Sequence, residues 1–257
     1  MGLEKKKIMK RKPTVALYDF TDCEGCEVAL VSLKEKFLEL EKQIDIVDWR
    51  LGQEKKEEGS LFASIIEGTP MTRHEIDTLK NLREKSTYII ALGACASLAG
   101  IPGIMEKEKR EDWYKKIYSP EYKPKGIDAL PLSAYVKVDF MIHGCPVNAD
   151  EVIRIFEELL LGRKPSYRPY SVCFDCKVKQ NQCRIISGKP CLGPITQGGC
   201  GAICISGGSP CYGCFGIREG ANVEGLRKTL KKIATEEEIN SYFSMFLNKQ
   251  DKQNGNG

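Results

Sequence analysis

Residues 173–214 restrict what this chain can fold into more than any other stretch. They read CFDCKVKQNQCRIISGKPCLGPITQGGCGAICISGGSPCYGC and hold eight of the chain's twelve cysteines. The spacing runs C-x2-C-x6-C-x7-C, then C-x8-C-x3-C-x6-C-x2-C. Glycine is frequent and core-forming side chains are few. A segment of that composition cannot order itself by hydrophobic burial alone. Something bound by the thiols has to supply the missing stability.

The compartment decides what that something can be. Residues 1–12 carry five lysines, one arginine and one glutamate, with no apolar core of a signal peptide and no twin-arginine pair. No stretch approaches the length of a membrane span. The expectation is a cytoplasmic protein, without direct membrane insertion, whose thiols stay reduced and bind metal rather than forming six disulfides. The formal charge of +4 resides in that basic, flexible 1–12 tail, because residues 13–257 sum to −1. The body has no basic stripe interleaved with aromatics, so nucleic acid is not an expected partner.

Upstream of the cysteine-rich stretch, strand and helix patterns alternate. Residues 13–20 (PTVALYDF) predict a buried strand. The segment after TDCEGC predicts a helix with Val28, Val31, Leu33, Phe37 and Leu38 at helical spacing. Strands follow at 44–49, 61–68, 87–93 and 135–144. Thr72 and Glu75 form a capping box for a helix reaching Lys85, and Asn148 is placed to cap a helix after the fifth strand. Residues 101–134 read as a long loop, 162–169 as a linker, and 222–233 as a helix. Thr235 and Glu238 offer a second capping box for a last helix carrying Ile239, Phe243 and Phe246.

The alternation predicts an α/β fold: a flavodoxin-like, doubly wound parallel sheet over 13–165. A small, irregular cysteine-rich domain follows over 166–220, then C-terminal helices over 221–247 and a disordered tail over 248–257. In such sheets, sites form beyond the carboxyl ends of the strands. Cys23 and Cys26 follow the first strand, Cys95 the fourth and Cys145 the fifth. Four thiols distant in sequence therefore share one sheet edge.

Structural zinc favours paired CxxC knuckles, and only Cys23/Cys26, Cys173/Cys176 and Cys211/Cys214 have that spacing. Zinc would also leave the sheet-edge site unexplained, since that domain already has a core. A cubane iron–sulfur cluster takes four cysteinates and tolerates wider, irregular spacings. Twelve cysteines divide into three sets: Cys23, Cys26, Cys95, Cys145; Cys173, Cys176, Cys183, Cys191; and Cys200, Cys204, Cys211, Cys214. The spacing leaves open where the second set ends, between Cys191 and Cys200. Glycines beside the ligands (Gly25, Gly93, Gly144, Gly201, Gly213) let backbone approach a cluster closely. Three clusters in one chain imply electron transport.

CEGC after the first strand, then IIEG, GACASLAG, HGCPVN, CLGP, GCGAIC and SPCYGC, occur in an order that resembles the small subunit of nickel–iron hydrogenases. The likeness runs from about residue 13 to 220 and is nearest to the sulfhydrogenase, methyl-viologen-reducing and deazaflavin-reducing kinds. It implies a proximal 4Fe-4S cluster on Cys23, Cys26, Cys95 and Cys145, and a medial one on Cys200, Cys204, Cys211 and Cys214. The distal cluster would be on Cys173, Cys176, Cys183 and Cys191. It implies a large-subunit partner holding the nickel–iron centre, and a flavin- or iron–sulfur-containing acceptor subunit. Relatives exported to the periplasm place a histidine among the distal ligands and often Cys-Pro-Pro after the fifth strand; this chain has cysteine throughout and Cys145-Pro146-Val147. The related complex I subunit has adjacent cysteines after the first strand and lacks the second domain.

Glu67 matches a family glutamate near the proximal cluster; no residue of this chain is expected to be catalytic otherwise. His143 reads as a satisfied strand-end side chain rather than a cluster partner, His74 as surface, and Glu24 and Glu27 as solvated loop glutamates. Two other functions stay in view: a stand-alone, ferredoxin-like multi-cluster carrier, and a zinc-stabilised binding module.

Overall fold

A computed structural model describes residues 12–52, 59–123 and 126–249. Five parallel strands form one sheet in the order β2-β1-β3-β4-β5. They are β1 (Thr14–Asp19), β2 (Asp45–Trp49), β3 (Leu61–Glu67), β4 (Ser86–Leu92) and β5 (Phe140–Ile142). The 2-1-3-4-5 order is that of flavodoxin-like sheets, whose ligands sit at the switch point beyond the strand carboxyl ends. Apolar residues on both faces of the central strands are fully buried, among them Val15, Ile66, Ile89 and Ile90. Ile90 packs into a core with Leu30, Phe37, Val152 and Phe156, while Ile89 faces Leu79, Leu82 and Leu132 on the other side. Helices therefore cover both faces, which is why these strands read as apolar runs rather than alternations.

The helix expected after the first strand is two helices, α1 (Gly25–Val31) and α2 (Glu35–Glu41), because the chain turns at Lys34 with φ 51°. The turn changes the helical register. Cys26, Glu27, Leu30, Phe37 and Leu40 face inward, whereas Val28, Val31 and Leu38, expected in the core, are exposed. Of the apolar residues read at helical spacing, Phe37 faces the core and Leu33 packs against it, while on α1 a cysteine and a glutamate take buried positions.

Helix α3 (Arg73–Lys85) carries the full Thr72/Glu75 capping box. Helix α4 (Gly93–Leu98) follows β4 directly. The expected 101–134 loop contains α5 (Lys107–Ile117), which buries none of its residues and so gave no apolar stripe to read. The fifth strand is three residues long rather than ten; Leu132–Ala134 form a 3-10 turn before it. Asn148 accepts from the Asp150 N–H to start α6 (Ala149–Leu160), which buries Val152, Ile155, Phe156 and Leu159 at helical spacing.

The 162–169 segment is not a loose tether. Tyr167 Oη donates to the Met141 carbonyl at 3.0 Å, Arg154 donates to the Ser166 carbonyl, and Arg168 pairs with Glu151. Beyond it lie α7 (Val172–Val178), the short α8 (Ile203–Ser206), α9 (Val223–Leu230) and α10 (Glu236–Phe246), the last started by the Thr235/Glu238 capping box. Leu226, Leu230, Ile239, Phe243 and Leu247 form a core that receives Leu192 and Ile195. The C-terminal helices thus lend the cysteine-rich segment apolar support it does not contain. Asn248 and Lys249, expected in the disordered tail, belong to the packed part: Lys249 is buried and pairs with Asp128 at 2.9 Å. The expected basic tail, apart from Lys12, and the tail from 250 onward lie outside the described residues.

Candidate metal centres

The first four cysteines arrive at one edge from four places. Cys23 lies in the loop after β1, Cys26 in the first turn of α1, Cys95 in α4, and Cys145 just past β5. Burial raises the pKa of Cys26, Cys95 and Cys145, bringing Cys95 up to about 12. Neighbouring cysteines add to it: Cys95 beside Cys26, Cys145 and Cys23 beside Cys95, and Cys23 beside Cys145. Gly93, at φ +84°, leaves room for sulfur: a Cβ there would stand 2.5 Å from Cys26 Sγ. Only glycine supplies both that backbone conformation and that clearance.

Glu67 ends β3 and is buried. Its two carboxylate oxygens accept from the Cys26 and Glu27 N–H groups at 3.0 and 2.9 Å. These are first-turn donors of α1, whose own N-cap, Glu24, makes no side-chain cap bond. Glu67 therefore caps from a neighbouring strand the turn that carries Cys26. Glu67→Ala leaves two buried N–H groups unpaired and is expected to cost about 2–4 kcal/mol, a Tm drop on the order of 5–10 °C. Glu67→Gln, which keeps acceptor capacity, is expected to lose less than half of that. Thermal melts of the two variants decide it, and an Ala variant as stable as the wild type removes the capping role.

Glu27 is not the solvated glutamate the sequence suggests. It is buried and accepts from Trp49 Nε1 at 2.6 Å. Burial pushes its pKa up to about 7, opposed by the Trp49 hydrogen bond and reinforced by nearby Glu67. Asp22, which no motif singles out, is pushed up to about 6, chiefly by burial, and its Oδ2 has no partner among the described residues. Its place beside Cys23 was the available signal. Glu24 stays half-exposed near Arg50.

His143 Nδ1 lies 2.8 Å from Ser97 Oγ, and its ring stacks on Tyr167. Ser97 Oγ already donates to the Gly93 carbonyl at 2.7 Å, so the imidazole N–H is the donor to Ser97. Burial holds the ring neutral, with a pKa of about 4. This is the satisfied strand-end histidine expected. His74 is exposed, as expected.

The third set, Cys200, Cys204, Cys211 and Cys214, lines one cavity of about 500 Å³ together with Cys145, Phe215 and Phe246. Phe246 brings α10 to this cavity, a contribution invisible in the cysteine spacing. Burial raises the Cys214 pKa to about 12, with Cys200, Cys204 and Cys145 adding to it, while the Cys145 N–H faces the Cys214 sulfur. The second set is also mutually close: Cys173, raised to about 11 mainly by burial, has Cys191, Cys176 and Cys183 beside it. The two sets touch where the Cys211 N–H donates to Cys191 Sγ at 3.3 Å. Thr196 Oγ1 lies 3.5 Å from Cys211 Sγ.

Among the described residues, no group of three or more His, Cys, Asp or Glu side chains is spaced to hold a single metal ion. The thiols of the third set rim a space larger than one ion instead, and in the first set a glycine clears room beside Cys26 Sγ. Buried thiols of raised pKa keep their protons until a bound cation displaces them. The donor set and the space fit clusters ligated by four cysteines.

The family model described as the NADH–ubiquinone oxidoreductase 20 kDa subunit matches residues 23–159, the α/β part, and stops before the cysteine-rich segment. Sulfhydrogenase 2 subunit delta of Pyrococcus furiosus is 35% identical over 227 residues, covering 88% of this chain and 95% of that protein. The chain belongs to the nickel–iron hydrogenase small-subunit family. Within that family, a vhu-type F420-non-reducing hydrogenase subunit of Methanocaldococcus jannaschii is 31% identical, covering 86% of this chain and 90% of its own. A chain of the actinobacterial-type NiFe-hydrogenase from Ralstonia eutropha H16 shares the fold, with a TM-score of 0.56 at 17% identity over 96% of this chain and 92% of that one. A chain of an NAD+-reducing NiFe-hydrogenase matches with a TM-score of 0.54 at 22% identity, covering 62% of this chain and 97% of its own. Membership makes this chain an oxidoreductase subunit. Among the described residues, no helix is long and apolar enough to cross a membrane.

Proposed function

We propose that this chain is the electron-transfer small subunit of a cytoplasmic nickel–iron hydrogenase and holds three 4Fe-4S clusters. Cys23, Cys26, Cys95 and Cys145 would hold the proximal cluster; Cys200, Cys204, Cys211 and Cys214 the medial one; and Cys173, Cys176, Cys183 and Cys191 the distal one. The clusters, when bound, supply one-electron carriers between a nickel–iron centre in a separate large subunit and a flavin or iron–sulfur partner subunit.

The observation that carries this reading is the order of contact between the sets. Cys145 borders the cavity of the third set, and Cys211 of that set donates its N–H to Cys191 of the second. These contacts support the reading of the third set as the medial site, with Cys191 and Cys200 as ligands of different clusters. Exposed Val28, Val31 and Leu38 on α1 and α2, the elements that carry Cys26 and flank the first set, fit burial against the large subunit.

Anaerobic purification followed by iron and acid-labile sulfide analysis tests the proposal. About twelve irons and twelve sulfides per chain are expected, four of each per cubane. Stoichiometric zinc without sulfide would end the iron–sulfur reading, and about eight irons would leave one cysteine set without a cluster.

A further inference from the structure

The surface around the second cysteine set has a composition that the electron relay itself does not require. Phe174 lies between Cys173 and Cys176, Val178 follows Cys176 by two residues, and Ile186 follows Cys183 by three. All three are exposed, at 55%, 67% and 85% of their surface. Phe174 and Val178 stand at i and i+4 of α7 and so share one helix face. Exposed Lys177, Lys179 and Lys189 each lie within three residues of a cysteine of the same set.

Within the cysteine-rich segment itself little negative charge stands against them. Asp175 is the only acidic residue between 171 and 214. Its carboxylate turns toward backbone and accepts from the Gly199 and Gly201 N–H groups at 3.0 and 3.3 Å. Arg184 is turned inward as well, donating to the Ile205 carbonyl. Asn181 Nδ2 donates to Ser206 Oγ, so the turn after α7 is pinned against α8 and presents a fixed surface. Exposed apolar side chains interspersed along the segment with charges of one sign suit a docking surface: the apolar side chains give contact area, and the charges select a partner by sign.

We infer that the face formed by Phe174, Val178 and Ile186 with Lys177, Lys179 and Lys189 docks an electron-transfer protein that presents carboxylates around an apolar contact. This rests on the proposed function, because it takes the second set as the terminal one. It adds the sign and chemistry of the partner, which neither the cysteine pattern nor the relay order specifies.

The test uses the anaerobically purified complex with its large subunit and three probes: an acidic ferredoxin, a lysine-rich c-type cytochrome and an uncharged benzoquinone. Each dihydrogen oxidised releases two protons and two electrons. Those electrons reduce two ferredoxins or two cytochromes by one electron each, or, together with the two protons, one quinone to hydroquinone. Ferredoxin kcat/KM is expected to exceed that of the cytochrome. It should fall steeply as salt rises from about 10 mM to about 150 mM, which shortens the screening length from about 30 Å to about 8 Å. The triple variant Lys177→Glu, Lys179→Glu, Lys189→Glu should lower ferredoxin kcat/KM by about tenfold or more, raise that of the cytochrome, and leave quinone reduction unchanged. The milder triple Lys→Gln variant should lower ferredoxin kcat/KM by a smaller factor and flatten its salt dependence. Ferredoxin rates insensitive to both salt and charge reversal overturn the inference. So does a doubled mass in light scattering that charge reversal abolishes, since the occupant is then a second copy. Absence of hydrogen-driven quinone reduction in the wild type counts instead against the hydrogenase reading.

Discussion

Cys145→Ser is expected to abolish hydrogen-dependent dye reduction, a loss on the order of 100-fold or more, as the removal of a ligand exceeds the 10- to 100-fold typical of supporting residues. The size of the effect follows from where this cysteine stands. It has Cys23 and Cys95 on one side, and it borders the cavity of the third set on the other, with its N–H facing the Cys214 sulfur. A serine there weakens one proposed cluster and alters the passage to the next. Stability should change little by comparison. Cys145 takes no part in the cores on either face of the sheet, so the melting of the α/β part is expected to move by less than about 1 kcal/mol. Activity and stability therefore separate in this variant. Electron paramagnetic resonance should show one reduced-cluster signal lost or altered while the others persist. Unchanged dye reduction would refute the assignment of Cys145 as a proximal ligand.

Most of the sheet was legible because its signals are local and its burial is two-sided. Apolar runs such as TVALYD and STYIIAL mark strands covered on both faces. The capping boxes at Thr72 and Thr235 could be read from four residues each and are present. The convergence of Cys23, Cys26, Cys95 and Cys145 was also legible, because parallel topology sends the end of every strand to the same edge. What the sequence could not reveal depends on polar groups buried for a purpose. Glu27 takes a core-facing position on α1 because Trp49 supplies a donor and Glu67 caps the turn; read by polarity alone, it belongs in solvent. Helix α5 went unread for the opposite reason. It buries nothing, so no periodic apolar stripe marks it. The packing of α10 against the third set through Phe246 is a long-range contact that no cysteine spacing encodes.

Removing iron should unfold the cysteine-rich segment and spare the sheet. The core of that segment is Val172, Ala202 and Ile205 together with Cys176, Cys191 and Cys211, so half of what is buried there consists of proposed ligands. Without metal, burial holds the Cys191 and Cys211 thiols protonated, with Cys211 raised well above its ordinary value, and Cys211 lines a cavity of about 500 Å³ together with Cys200, Cys204 and Cys214. At about 24 cal/mol per Å³, a dry cavity of that size would cost on the order of 10 kcal/mol, as much as a whole domain's stability of about 5–15 kcal/mol. The segment must therefore flood or collapse. The α/β part differs because each face of its sheet has a core without iron: Leu79, Leu82, Ile89 and Leu132 on one side, Leu30, Ile90 and Phe156 on the other. Hydrogen exchange after anaerobic chelation is expected to show amides of 173–214 losing protection by several orders of magnitude, while β1, β3 and β4 keep theirs. The helices α9 and α10 set the boundary of the effect. Their contacts with Leu192 and Ile195 are apolar and need no metal, so they should lose protection only as far as those two anchors come loose. If the 173–214 amides stay protected in the iron-free chain, the thiols are not the segment's missing support, and hydrophobic burial against α9 and α10 suffices.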